Sequence, residues 1–131
     1  MIATAPGSGP VSIEVSHSAS RTVVTIGGDV EMMTLPRIAA TLGELRFDAG
    51  QVVVLDLRQV TFLDSSGLGA VVALHRRVAQ AGARLGVVSG PGTDHLFALT
   101  NLRQVLSLHA TPDGAVEALR TRGAQPPRRH T

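Results

Sequence analysis

The chain has 131 residues, 44% of them apolar, and a formal net charge of +2, so it is long enough for one domain with a packed core. It has no cysteine, which excludes disulfides, thiolate metal sites and a cysteine nucleophile. Its only aromatic residues are three Phe, which argues against the stacking platforms that bind single-stranded nucleic acid.

The sequence pI of about 11.0 does not indicate a nucleic-acid binder. The chain has neither Lys nor Tyr, so few groups titrate between the α-amino group and Arg, and a charge of +2 is enough to give a high pI. The first ten residues lack the basic and apolar regions of a signal peptide, and no apolar run approaches the roughly 18 residues of a membrane span. We therefore expect a soluble cytoplasmic protein with no nucleic-acid or membrane partner.

The pattern along the chain alternates between strands and helices. Residues 11–15 and 22–26 have period two and predict a β-hairpin. The remaining elements are predicted, in order, as a helix at 34–47, a strand at 52–57, a helix at about 66–81, a strand at 84–89, a short helix around 96–99, a strand at 105–108 and a helix at 112–120. This order predicts an α/β fold with a mixed four- to five-stranded sheet and packed helices. The domain is placed at 11–121, between disordered tails at 1–10 and 122–131.

Asp64-Ser65-Ser66-Gly67-Leu68-Gly69 places two hydroxyls and two glycines where a helix begins. A helix N-terminus has unpaired N–H groups and a partial positive charge, so it suits an oxyanion or a phosphate. Each glycine costs about 1 kcal/mol relative to Ala inside a helix. Two explanations stay open: the glycines give a partner or ligand clearance, or they allow tight helix–sheet packing while Asp64 or a serine caps the helix.

Several kinds of enzyme site do not fit the sequence. A P-loop, a Ser-x-x-Lys acyl enzyme and a response-regulator receiver domain all need a lysine, which the chain lacks. The Gly-x-Ser-x-Gly elbow is absent, and Val72 replaces the third glycine of a dinucleotide-binding fingerprint. The five histidines are scattered without metal-ligand spacing, and none is predicted beside Ser65 as a base. We expect no enzymatic activity, no metal and no cofactor.

The segment from Leu57 to Gly69 closely resembles the signature of STAS domains, specifically of bacterial anti-sigma factor antagonists. Upstream, Gly28-Asp29-Val30-Glu31 followed by Thr34-Leu35 is similar to the family's Gly-Glu-Leu-Asp segment, with the two acidic residues exchanged in length. The order of elements also fits, so the resemblance covers about residues 11–121 and implies a single STAS-type domain.

The resemblance implies a partner-switching role in transcription regulation and the stress response. An unphosphorylated antagonist binds an anti-sigma factor that is also a serine kinase, and so frees a sigma factor. The kinase uses ATP to phosphorylate a serine of the motif, which ends binding, and a serine phosphatase restores it. By position the phosphorylated residue is Ser65, with Ser66 as the alternative. The residues that the resemblance assigns to partner binding are Asp29, Glu31, Thr34, Asp64, Ser65, Ser66, Gly67, Leu68 and Gly69.

Two alternatives to this interpretation remain. Asp29 and Glu31 are equally well explained as solvated acids at a strand end. The whole domain also fits a STAS scaffold or a small-ligand sensor in another signalling assembly.

Overall fold

A computed structural model describes residues 11–124, and it begins with the predicted hairpin. Strand β1 (Val11–His17) is antiparallel to β2 (Arg21–Val30). The elements that follow are α1 (Leu35–Gly43), β3 (Val52–Leu63), α2 (Ser65–Gln80), β4 (Arg84–Val88), α3 (Asp94–Leu99), a 3-10 turn (Leu102–Gln104), β5 (Ser107–His109) and α4 (Pro112–Ala124). One five-stranded sheet has the order β1-β2-β3-β4-β5, with every pair after the first parallel. The predicted α/β fold with a mixed sheet is confirmed.

Helices cover both faces of this sheet because β3 is apolar on both sides, as a buried parallel strand is. Val53 and Leu55 point into the main core, which α1, α2 and α3 cover. Val52 and Val54 point to the opposite face, where α4 packs on them. The helical side chains buried in the main core are Ile38, Leu42, Val71, Leu74, Val78 and Phe97.

Several element boundaries differ from the sequence expectation, among them the end of β2, which reaches Val30 rather than residue 26. Strand β3 does not end at residue 57, because it continues to pair with β2 as far as Leu63 after its pairing with β4 has ended at Asp56. Helix α1 ends at Gly43 rather than at residue 47. Strand β5 begins at Ser107 rather than at 105, since the residues before it form the 3-10 turn.

The predicted domain end at residue 121 falls within α4, which continues through Gly123 to Ala124. Of the predicted tails at 1–10 and 122–131, residues 122–124 belong to α4, and residues 1–10 and 125–131 lie outside the described residues. Over residues 11–124, no helix is both long enough and apolar enough to cross a membrane.

The parallel pairing of β2 and β3 determines where the candidate site forms. Val30, the last residue of β2, pairs with Leu63, the last residue of β3. The two strands therefore end side by side, and the turn after β2 meets the start of α2 after β3.

Candidate functional site

Asp64 is the N-cap of α2. Its Oδ1 atom accepts hydrogen bonds from the Gly67 N–H at 2.9 Å and from the Ser66 hydroxyl at 2.6 Å. These bonds, with that of Ser66 the stronger influence, hold the pKa of Asp64 below its ordinary value of 3.8. A carboxylate that stays ionised at neutral pH therefore lies directly beside Ser65. The sequence expectation that Asp64 or a serine caps this helix is resolved in favour of Asp64.

The other oxygen of the same carboxylate reaches the turn after β2. Asp64 Oδ2 accepts a hydrogen bond from the Met32 N–H at 3.1 Å. The Asp64 N–H donates to the Val30 carbonyl, also at 3.1 Å. Asp64 thus joins two segments, the turn after β2 and the first turn of α2, which are distant in sequence.

The two serines of the motif differ in their surroundings. Ser65 is the first residue of α2 and is exposed, and its hydroxyl makes no hydrogen bond with residues 11–120. Ser66 is half-buried, and its hydroxyl donates to Asp64. The Ser65 hydroxyl is accessible to an approaching reagent, whereas the Ser66 hydroxyl is already engaged.

Hydrogen bonds hold the turn after β2 in place. Thr34 is buried, and its hydroxyl donates to the Asp29 carbonyl at 2.6 Å and accepts from the Glu31 N–H at 3.1 Å. The Glu31 carboxylate accepts from the Met33 N–H at 2.8 Å, and the Asp29 carboxylate accepts from the Thr61 hydroxyl. Thr34 therefore shapes the turn from inside. Asp29 and Glu31 are half-buried structural acceptors rather than purely solvated acids.

The two glycines of the motif have different surroundings. A Cβ atom on Gly67 would lie 2.5 Å from Leu63 Cδ1 and 2.9 Å from Val30 Cγ1, so Gly67 is needed for tight helix–sheet packing. Gly69 is exposed, and no atom lies within 4 Å of the corresponding position. Leu68 is half-buried against the main core. Of these three residues, Gly69 is the one with an open face.

Three residues at this site were missed by sequence reasoning. Within residues 11–124, five large apolar side chains are exposed, and three of them are Met32 (70%), Met33 (69%) and Phe62 (52%). Met32 and Met33 lie in the turn bonded to Asp64, and Phe62 precedes Asp64 by two residues. Met32 and Met33 lie in the short connection between a predicted strand and the helix that starts at Leu35-Pro36. Their place in this connection was a sequence signal that could have predicted their exposure. The exposure of Phe62 could not be predicted, because the strand was expected to end before this residue.

Asp56 and His75 are two further described residues with titratable side chains. Asp56 is buried, and although burial raises its pKa, hydrogen bonds from Arg58, including an ion pair at 2.9 Å, lower the pKa below the ordinary value. His75 lies on α2 two turns or more beyond Ser65. No group of three or more metal-ligating side chains occurs in the part of the chain that the structure describes.

Comparison with known proteins places the fold in a family. A family model described as "Mlab, STAS domain" matches residues 13–109. The chain belongs to the STAS-domain family. This confirms the resemblance that was drawn from the motif at Asp64 to Gly69.

Several relatives of this STAS protein are described as anti-sigma factor antagonists. The anti-sigma-F factor antagonist RsfB of Mycobacterium tuberculosis is 29% identical over 84% of this chain and 90% of its own length. The anti-sigma-B factor antagonist of Bacillus subtilis is 24% identical over 82% of this chain and 98% of its own length. A crystal structure of an anti-sigma factor antagonist from Mycobacterium paratuberculosis has a TM-score of 0.74 and 30% identity, covering 90% of this chain and 99% of that one. The unphosphorylated form of SpoIIAA shares the fold, with a TM-score of 0.61 at 15% identity over 83% of this chain and 98% of that one.

Proposed function

We propose that this STAS protein is an anti-sigma factor antagonist that acts in the cytoplasm without enzymatic activity of its own. The unphosphorylated form binds an anti-sigma factor that is also a serine kinase, and so releases a sigma factor. The kinase transfers the γ-phosphoryl group of ATP to the Ser65 hydroxyl, which loses its proton, and ADP leaves. The phosphorylated form no longer binds, and a serine phosphatase restores it by hydrolysis. The names of the relatives from Mycobacterium tuberculosis and Bacillus subtilis support the class of partner.

The observation that carries the proposal is the free, exposed hydroxyl of Ser65 at the first position of α2. A kinase must bring the γ-phosphorus of ATP in line with this oxygen, which requires open space around it. Ser66 is less suitable, because phosphorylation would require its half-buried hydroxyl to leave Asp64. This difference between the serines supports Ser65 as the phosphorylated residue.

The position of Ser65 also explains how a phosphate would be tolerated by the fold. A phosphoserine has a charge of about −1.5 to −2 at neutral pH. At the N-terminus of a helix this charge is stabilised by the helix dipole and by free N–H groups. The exposed Ser65 hydroxyl makes no hydrogen bond, among the side chains that the structure describes, that phosphorylation would have to break. The phosphate is therefore expected to act on the docked partner and not on the stability of the domain.

The surroundings of Ser65 suit the docking of another protein. We define the docking surface by its exposed members, Met32, Met33, Phe62, Ser65 and Gly69. Exposed large apolar side chains that lie together mark interaction sites, and Met32 and Met33 are adjacent in the turn bonded to Asp64. A phosphate introduced among them, and beside the ionised Asp64, would weaken docking through desolvation and like-charge repulsion.

The proposal is tested by incubating the chain with ATP and the serine-kinase anti-sigma factors of its own host. We expect a single phosphate on wild type and on Ser66→Ala, and none on Ser65→Ala, measured by mass spectrometry with fragment mapping. Ser65→Asp should have the far-ultraviolet spectrum and melting temperature of wild type and should no longer bind the anti-sigma factor.

Two results would contradict parts of this proposal. Retained binding by Ser65→Asp would exclude a switch based on charge at this residue, and a phosphate mapped to Ser66 would move the site. If no anti-sigma factor of the host binds the unphosphorylated chain, the proposed antagonist function is wrong, and a scaffold or a ligand sensor becomes the better explanation.

A further inference from the structure

Met32 and Met33 are the only sulfur-containing residues within residues 11–124, since the chain has three Met in all, one of them Met1, and no Cys. Among residues 11–120, both side chains are more exposed than any other large apolar side chain except Leu99, which equals Met33. A thioether at this exposure is open to oxidants, which a methionine inside a core is not. The sulfur chemistry of this part of the chain is therefore concentrated on the docking surface.

The two thioethers are presented by a well-bonded turn. The Met32 N–H donates to Asp64 and the Met33 N–H donates to Glu31, at 3.1 and 2.8 Å. Thr34 and Leu35 close the same turn by donating to the Glu31 carbonyl at 3.0 and 2.9 Å. The backbone of both residues is held by hydrogen bonds, and both side chains are exposed in the turn that is bonded to the cap of α2.

We infer that Met32 and Met33 form an oxidation-sensitive site that regulates docking at the same surface as Ser65. A peroxide transfers one oxygen atom to each thioether sulfur, its O–O bond breaks, and water or an alcohol is released. Each sulfur loses two electrons and becomes a sulfoxide. A thiol-dependent methionine sulfoxide reductase reverses the step, releasing the oxygen as water while two thiols become a disulfide.

The inference rests on the proposed function, because its effect is on docking. Methionine is flexible and polarisable, which suits it to apolar interfaces, whereas its sulfoxide is polar and must be desolvated to be buried there. Phosphorylation of Ser65 and oxidation of the methionines are chemically independent, and both would weaken binding. The free antagonist would be the sensitive form, since a docked partner covers the two thioethers.

The test compares wild type with the double variant Met32→Leu/Met33→Leu, which keeps the apolar surface and Met1 but removes the two sulfur atoms. Each protein is treated with hydrogen peroxide, the peroxide is destroyed with catalase, and binding to the anti-sigma factor is then measured. We expect two added oxygen atoms at residues 32 and 33 of wild type by peptide mass mapping. Affinity should fall about tenfold or more on oxidation of wild type, since a polar group is then buried at the interface. The affinity of the double variant should be the same after peroxide treatment as before it, each measured against the variant's own untreated form.

The outcomes separate this inference from the proposed function. Equal binding by oxidised and untreated wild type would overturn the inference alone, provided that the untreated chain binds and that phosphorylation of Ser65 ends binding. An equal loss in the double variant would also overturn it, since the effect would then come from another residue such as Met1. If the untreated chain binds no anti-sigma factor, the proposed function fails and this inference fails with it. Pre-bound anti-sigma factor should slow oxidation at residues 32 and 33, and an unchanged rate would count against their burial in the complex.

Discussion

Gly67 and Gly69 show how two residues of one motif meet different requirements. Both lie in the first turns of α2, where glycine has a low helix propensity. Gly67 is buried against Leu63 and Val30, so its missing side chain brings the helix close to the ends of β2 and β3. Gly69 is exposed with open space around it. Tight packing, one of the two explanations offered by the sequence, thus applies to Gly67, whereas clearance for a partner stays a prediction for Gly69.

Alanine substitutions at the two positions should change stability in opposite directions. Gly67→Ala should lower the free energy of unfolding by about 1–3 kcal/mol, because its Cβ forces Leu63 and Val30 apart. Gly69→Ala should raise it by about 0.5–1 kcal/mol, because alanine loses less entropy in a helix and meets no atom here. Urea denaturation of both variants gives the signs. A destabilising Gly69→Ala would show that this turn of α2 is more crowded than the structure indicates.

Asp56 should contribute to the acid sensitivity of the fold. Its folded-state pKa lies below the ordinary 3.8, so the unfolded chain takes up a proton first as the pH falls. The stabilisation from its bonds to Arg58 is complete above the unfolded pKa and is lost as the pH falls through the folded pKa. Asp56→Asn should therefore flatten the plot of unfolding free energy against pH below about pH 5. The slope should fall by at most the amount that corresponds to the uptake of about one proton on unfolding. An unchanged slope would contradict this role for Asp56.

At the scale of elements, a side chain from α2 holds the end of α1. The Arg77 guanidinium donates to the Leu42 carbonyl at 2.7 Å and to the Leu45 carbonyl at 2.9 Å, and it lies 5.3 Å from the centre of the Phe47 ring. The last carbonyl groups of a helix lack intrahelical hydrogen-bond donors. A cationic side chain at this end can donate the missing hydrogen bonds. This contact fixes α1, and with it the turn after β2, relative to α2.

Removing the Arg77 side chain should destabilise the domain more than removing the side chain of the neighbouring Arg76. Arg77→Ala should lower the free energy of unfolding by about 1–3 kcal/mol, since two charge-assisted hydrogen bonds are lost. Arg76→Ala is the matched control, because Arg76 is exposed on the same helix, and its effect should stay within about 0.5 kcal/mol. Urea denaturation measures both. Equal effects of the two variants would show that the bonds from Arg77 add nothing to stability.

How far the elements could be predicted depended on periodicity. The hairpin and the buried first half of β3 have clear patterns, and both were predicted. The second half of β3 was not, because Arg58 and Gln59 are both exposed and the register with β2 shifts, so the alternation is lost. At the site, the motif located Asp64 and Ser65 at the start of α2. The burial of Thr34 and the exposure of Phe62 depend on the side-by-side ends of β2 and β3. This tertiary arrangement cannot be predicted from the local sequence pattern.

At the scale of the whole molecule, the docking surface and α4 belong to different parts of the structure. The docking surface follows the ends of β2 and β3, whereas α4 packs on Val52, Val54 and β4. A change at the docking surface therefore leaves the second core untouched. This separation allows the surface to be varied without unfolding the domain.

A matched pair of exposed apolar residues tests whether the docking surface is specific. Phe62 and Val105 are 52% and 53% exposed. Val105 lies beside His75, about 15 Å along α2 from Ser65. Phe62→Ser should weaken binding to the anti-sigma factor about tenfold or more, as loss of an aromatic anchor does, while Val105→Ser should bind as wild type does. Titration calorimetry, with urea denaturation to confirm folding, measures both. Equal losses would indicate a different or more extended interface.

The single carboxylate of Asp64 also makes two distant backbone amides report on one titration. The N–H groups of Met32 and Gly67 donate to the two oxygens of that carboxylate. As the pH falls through the lowered pKa of Asp64, both amides lose an ionised acceptor at once. Their proton resonances in a nuclear magnetic resonance spectrum should therefore shift together along one curve. Phosphorylation at Ser65 adds negative charge beside the same group and should move that curve for both amides, so a spectrometer could follow the switch without any partner present.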